Sequence, residues 1–194
     1  MKKVILLLAG IMVLAAACTN NSSQTNNPTP TPTPATKATY KYAPYNFEFS
    51  YSNEWGFTQP AYANLDEKIV QIQIPQSAYP DTNFGDAAFS VSVGTATNLS
   101  QCLSLNAPNT EGFKTTQNIN GVSFSKAEST EPAAGNIYES HIYRALRNNL
   151  CFELQETIHT GNIANYDPGT VSEVNKDAIW TKLDEVLNTF SFTN

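Results

Sequence analysis

The chain predicts an α+β fold, rich in strands and closed by one helix, and three observations carry that expectation. Polar and apolar residues alternate over Asn46–Tyr51, Lys68–Ile74 and Ala87–Val93, the period of half-buried strands. The dipeptides Asn120-Gly121 and Asn148-Asn149 each separate two strand-like runs, and both tolerate the positive φ of a two-residue hairpin turn. From Asp177 to Asn188 the period lengthens, and Ile179, Leu183, Val186, Leu187 and Phe190 fall on one helical stripe.

Ahead of these elements, residues 1–17 read as an export leader. Lys2 and Lys3 form a positive start, Val4–Ala17 is an uncharged apolar run of 14 residues, and small residues close it. A bilayer-spanning helix needs about 20 apolar residues, so this run is too short for one. Leu14-Ala15-Ala16-Ala17-Cys18 resembles the lipobox of bacterial lipoproteins, with Ala15 at the position where Leu is commonest. The resemblance implies a diacylglycerol thioether on Cys18, cleavage before it, and acylation of the new amino terminus, palmitate being a typical chain. Two or more chains anchor stably because each buried CH₂ contributes about 0.8 kcal/mol. The plainer alternative is a leader cleaved near Ala17 with Cys18 incidental.

Residues 18–39 then read as the lipidated Cys and a disordered stalk. The stretch contains Asn, Ser, Gln, Thr and four prolines, Pro28, Pro30, Pro32 and Pro34, with nothing apolar larger than Ala after Cys18. It has no core to bury, and its alternation of Thr with Pro favours extended polyproline II. At about 3.1 Å per residue it spans roughly 65 Å at most.

Residues 40–194 are long enough for a single domain with a real core. Loss of Lys2 and Lys3 with the leader takes the formal charge from −6 to −8. An acidic chain without a basic cluster argues against nucleic acid and against a surface that binds anionic lipid. With Cys18 assigned to lipid, Cys102 and Cys151 remain, and in an oxidising envelope an even pair predicts a disulfide. The competing reading is a catalytic Cys with His141 or His159, but no Cys-His signature surrounds either sulfur.

Within the domain, Asn98 is placed to cap a short helix running through Cys102 and Leu105. The Asn148-Asn149 hairpin fixes a register: Arg147 faces Leu150, Leu146 faces Cys151, Arg144 faces Glu153, Tyr143 faces Leu154 and His141 faces Glu156. One face collects Tyr143, Ala145, Phe152, Leu154 and Ile158, the other Ile142, Leu146 and Cys151. Both faces carry apolar residues, so these strands are expected between two layers, with the Cys102 helix over Cys151. Thr189–Phe192 reads as a final short strand.

Two segments carry a family resemblance. Tyr45–Trp55 is similar to the first strand and turn of PsbP-like domains, with Asn46 and Ser52 in place of that family's Gly and Pro. Ile179–Phe192 is similar to its last helix and strand. The resemblance implies an antiparallel sheet sandwiched between helices, a PsbP-like α/β/α sandwich, and it implies no activity, since fold does not give function.

Chemistry is sparse. Ser123-x-x-Lys126 has a hydrolase spacing, but on a strand the two side chains point to opposite faces. Asp81-Thr82-Asn83-Phe84-Gly85-Asp86 begins like a calcium loop, yet Gly falls at position five and Ser92 occupies position twelve, so a solvated turn is expected. His141 opposite Glu156 is read as a cross-strand pair, with acid–base catalysis as the alternative. The tyrosines, Tyr40, Tyr42, Tyr45 and Tyr166 among them, are expected to fill strands and edges, with stacking on sugars or partners as the alternative.

The sequence thus predicts a bacterial cell-envelope lipoprotein, held to the bilayer through Cys18 with its domain on the extracytoplasmic side. It reads as a non-enzymatic binding or assembly module for an unidentified envelope protein or glycan, without cofactor, metal or nucleic acid. The alternatives are a glycan-binding surface domain, marked by coplanar exposed tyrosines, or an enzyme acting on envelope polymers, marked by converging carboxylates in a deep cleft.

Overall fold

A computed structural model describes residues 36–106, 108 and 110–193, all within one compact unit. The leader, Cys18 and the stalk as far as residue 35 lie outside the described residues. Strand β1 (Lys37–Tyr42) already pairs antiparallel with β2 (Phe47–Ser52), Lys37 opposite Ser52 and Thr39 opposite Ser50. The domain therefore begins before Tyr40: Lys37–Thr39, polar enough to read as stalk, are held by backbone pairing, which composition does not reveal.

β2 is the alternating strand expected near residue 46, with Phe47 and Phe49 each 1% exposed. A short β10 (Ser191–Phe192) pairs with its other edge, giving a three-stranded sheet in the order β1-β2-β10. The larger sheet has seven strands: β3 (Gly56–Thr58), β4 (Glu67–Ile74), β5 (Phe84–Thr95), β6 (Thr115–Ile119), β7 (Val122–Ala133), β8 (Asn136–Arg147) and β9 (Leu150–Gly161). Their order is β3-β4-β5-β9-β8-β7-β6, every neighbour antiparallel.

Turn chemistry places these strands. Asn120 and Gly121 take φ of 45° and 84°, and Asn148 and Asn149 take 52° and 60°, as two-residue hairpins require. The β8–β9 register is the one expected, from Arg147 opposite Leu150 to His141 opposite Glu156. A third hairpin turns at Ala134-Gly135, also with positive φ, and β7 runs on past Lys126 as far as Ala133 to reach it. β6 pairs only with Val122–Lys126, so the remainder of β7 runs past the end of its neighbour.

Helix α2 (Lys176–Leu187) starts at Asn175, whose side chain accepts from the Ala178 N–H, and buries Ile179, Leu183, Val186 and Leu187. It shares one face of the large sheet with the small sheet, forming the main core with Phe89, Val91, Phe152, Leu154 and Ile158. Asn120 Nδ2 donates to the carbonyls of Asn188 and Phe190, tying the β6–β7 turn to the end of α2.

On the opposite face lies α1 (Leu99–Ser104), where Asn98 accepts from the Gln101 N–H and Cys102 is buried. A disulfide joins Cys102 to Cys151 beneath it, in a small cluster with Leu65 and Ala96. The architecture is α+β, an antiparallel sheet with a helix on each face. Two features were not expected: the second, three-stranded sheet beside α2, and the segment Gln59–Asp66, which crosses the α1 face as a strap.

The disulfide closes a loop across a sequence separation of 49. Replacing both cysteines by alanine should therefore lower the unfolding free energy by about 4 kcal/mol in the chain-entropy account. Urea denaturation of the two forms measures this, and superimposable curves would show the link to be thermodynamically idle.

Candidate functional site

The two faces of the large sheet present different chemistry. On the α2 face the His141–Glu156 pair is formed as the hairpin register requires. Glu156 is 0% exposed; His141 Nδ1 lies 3.4 Å from Oε2 without an aligned hydrogen bond, while the Tyr143 hydroxyl donates to Oε2 at 3.1 Å. Oε1 is enclosed and unpartnered. Trp180 of α2 stacks on the imidazole at 4.0 Å, and Glu128 stands 3.8 Å from its Nε2. Burial, with Asp184 adding to it, raises the Glu156 pKa, and His141 and Tyr143 oppose the rise only in part. The carboxyl is sealed beneath an indole and a phenol, which suits a packing element and leaves a ligand no way in.

The α1 face is polar across its central strands. Gln71, Ser90, Ser92, Glu153, Gln155 and Thr157 alternate with apolar residues along β4, β5 and β9, yet all are buried. Arg144 and Glu153, 0% and 1% exposed, anchor this layer: Nε and Nη2 of the guanidinium donate to Glu153 Oε2 at 2.9 and 2.7 Å. Arg144 Nη1 reaches the carbonyls of Cys102, Leu103 and Leu105 at the end of α1. Glu153 Oε1 accepts from the backbone and side-chain N–H groups of Asn64, at 2.9 and 3.1 Å, and from the Ser92 hydroxyl. One ion pair thus holds both covers, helix and strap, on the sheet.

Where the covers stop, a cleft of about 380 Å³ opens, a size in the range of small-molecule sites. Tyr62 of the strap and Tyr138 of β8 stand beside it, ring centroids 6.1 Å apart. Its floor is a carboxamide with two hydroxyls. Gln155 Nε2 donates to Ser140 Oγ and Thr157 Oγ1 at 3.3 and 3.0 Å, and those two oxygens are 2.9 Å apart. Asn64 Nδ2 donates to Gln155 Oε1 at 2.7 Å, linking strap to floor.

At one end of the cleft the Tyr62 hydroxyl donates to Asp86 Oδ1 at 2.7 Å, and burial followed by that bond raises the phenol pKa. His159 Nδ1 lies 3.3 Å from Asp86 Oδ2, its ring is stacked on Tyr138 at 4.5 Å, and its Nε2 is enclosed with no partner. Gly85 permits this: a Cβ there would lie 2.5 Å from His159 Nδ1. The supposed calcium-loop glycine is thus a place of close approach for an imidazole. Asn83 has its carboxamide engaged with the Gly161 carbonyl and the Val174 N–H.

The remaining candidates disperse. Ser123 and Lys126 sit three apart on β7, Lys126 paired with Glu128 at 2.9 Å and lying over the Tyr143 ring. Tyr40, Tyr42 and Tyr45 pack against the main core; Tyr40 and Tyr42 are nearly parallel but half-buried on it. Tyr166 is exposed, its hydroxyl lying over Gly161. Neither cysteine meets a histidine in any contact among the described residues; their sulfurs are joined to each other. The strap and the cleft escaped the sequence reading, and the available signal was the choice of hydroxyls and amides, with few charges, on the polar side of central strands.

Fold and site together define an α+β sandwich with a polar, ligand-sized cleft on one sheet face. No known family profile matches the chain, and no curated protein matches it. Among solved structures the chain is similar to a Bacteroides thetaiotaomicron VPI-5482 protein, at 16% identity and TM-score 0.46 over 80% of this chain, and it spans about half, 48%, of that one. It is also similar to the cyanobacterial PsbP (CyanoP) of Synechocystis sp. PCC 6803, at 12% identity and TM-score 0.46, covering 81% and 93% of the two chains. A third is LpqN, involved in cell envelope biogenesis of Mycobacterium tuberculosis, at 10% identity and TM-score 0.45, covering 84% and 87%.

The sealed Glu156 makes stability depend on pH. Unfolded, its carboxyl titrates near 4.5; folded, it keeps the proton to higher pH, so native stability is full below that value and declines as pH rises toward the folded pKa. Glu156→Gln should flatten the decline. Urea midpoints of both forms between about pH 4 and about pH 8 test it, and parallel profiles would count against a proton on Glu156.

Proposed function

We propose that the chain is an extracytoplasmic lipoprotein, held at the bilayer through acylated Cys18, and that its folded part is a non-enzymatic binding module whose ligand seat is the Tyr62–Tyr138 cleft. The observation that carries this reading is the floor of that cleft. Ser140, Gln155 and Thr157 are all at least nine-tenths buried on central strands, where Val or Ile would pack at lower cost. A polar layer of this kind, partly uncovered beside two tyrosines, has the make-up of a recognition surface.

A non-enzymatic role is supported by the placement of the two histidines. His141 lies under Trp180, and His159 Nε2 is closed off from solvent, so neither imidazole presents a working nitrogen to the cleft. The apolar leader ending at Cys18, followed by a tract rich in Pro and Thr, supports the tether.

Two measurements test the proposal in cells of the native host. Cys18→Ser should move the protein from sedimented envelopes to the soluble fraction; an unchanged distribution refutes the anchor. A photo-crosslinking benzoylphenylalanine at Ala133, on the cleft rim, should yield adducts in intact envelopes, whereas the same group at Thr181 on α2 should not. Adducts from Thr181 alone would transfer the binding face to the other side.

A further inference from the structure

The hydrogen-bond inventory of the cleft specifies the chemistry it receives. Gln155 Oε1 is taken by Asn64, and the two Nε2 hydrogens are directed to Ser140 Oγ and Thr157 Oγ1. Between those hydroxyls, 2.9 Å apart, only one O–H can donate to the other. The second O–H has no acceptor among the described residues. A buried donor left unmatched is costly, so this hydrogen calls for an oxygen brought from outside.

Charge narrows the choice. Among the described residues no Lys or Arg lines the cleft and the one charged side chain lining it is Glu131 at the rim, while Asp86, with His159 beside it, lies behind Tyr62. A phosphate, sulfate or carboxylate would enter past Glu131 with no Lys or Arg among the described lining residues to receive it. The surroundings of the floor are apolar. Ile142, Ala61, Ala133 and Pro108 border it, and Tyr62, whose hydroxyl is occupied by Asp86, has its ring rather than its O–H to offer. Where β7 borders the cleft beyond its pairing with β6, Pro132 has no N–H to offer and Glu131 adds a charge, which disfavours addition of a peptide there as a strand.

We propose that this cleft binds one unit of a neutral saccharide. Its acceptor oxygen takes the surplus hydrogen of the Ser140–Thr157 pair, and its C–H face lies against the aromatic and aliphatic walls. A sugar ring combines these two surfaces, a polar edge and an apolar face, at the size of the space available. The inference rests on the cleft being the ligand seat and adds the class of ligand.

The test uses the full-length protein in detergent micelles, titrated calorimetrically with neutral tetrasaccharides (cellotetraose, maltotetraose, chitotetraose), with anionic tetragalacturonate and with tetra-alanine. At least one neutral sugar should saturate. Ser140→Ala/Thr157→Val should weaken it by about tenfold or more, through the lost hydrogen bonds. Because that double change disturbs the buried network, Ala133→Trp serves as a second variant: it fills the cleft from an exposed rim position and should abolish binding with Tm unchanged. Lys182→Gln, on α2, should bind like the parent.

The proposal is overturned if no neutral sugar saturates, if only tetragalacturonate or tetra-alanine does, or if both cleft variants bind sugar like the parent. Protein adducts from the Ala133 crosslinker without sugar binding would remove the saccharide and leave the cleft as a seat. Sugar binding indifferent to both variants would remove the cleft itself.

Discussion

The Arg144–Glu153 pair is the constraint on which the α1 side of the molecule depends. A guanidinium and a carboxylate with essentially no exposure are expensive to desolvate, and a buried pair of this kind adds little net stability over a well-packed apolar one. Its contribution is arrangement. Removing either partner strands the other charge, a loss of about 3–5 kcal/mol, and also releases what the pair holds. Arg144 collects the carbonyls at the end of α1, groups that lack helical partners there, and Glu153 collects Asn64 of the strap. The strap places Tyr62, and Asn64 in turn fixes Gln155, so the cleft is set at two removes by one ion pair.

That arrangement explains why the sheet has two unlike faces. Toward α2 the buried residues are mostly aromatic and branched aliphatic, and the enclosed carboxyl among them, Glu156, has its pKa raised by burial. Toward α1 the same strands carry hydroxyls, amides and a bonded ion pair, with the disulfide and its few apolar neighbours as a small satellite core. The first face supplies most of the burial that folds the domain. The second is free to be specific, because most of its polar groups are bonded to one another and to the strap.

Local chemistry was legible in the sequence and long-range cover was not. Asn98 capping α1, the Asn148-Asn149 turn and the resulting Arg144–Glu153 and His141–Glu156 register follow from short-range rules, and the folded chain has all of them. The stripe from Ile179 to Phe190 likewise follows from helical period. Alternation, however, states only that Ser90, Gln155 and Thr157 face away from the apolar core. Whether that side meets water or a strap depends on Gln59–Asp66, a segment with no periodicity, arriving from far along the chain. Lys37–Thr39 read as stalk for a related reason, since their order comes from pairing with β2 and not from side chains of their own.

The short β6 has a consequence for crowding. Past Lys126 the outer flank of β7 has no strand beside it among the described residues, and a strand edge of this kind can template pairing with a second copy. The residues there discourage this: Pro132 has no N–H to offer, and Glu128 and Glu131 would face their own kind across any such seam. Pairing of two copies along this edge is thereby disfavoured by the composition of seven residues, Ala127 to Ala133.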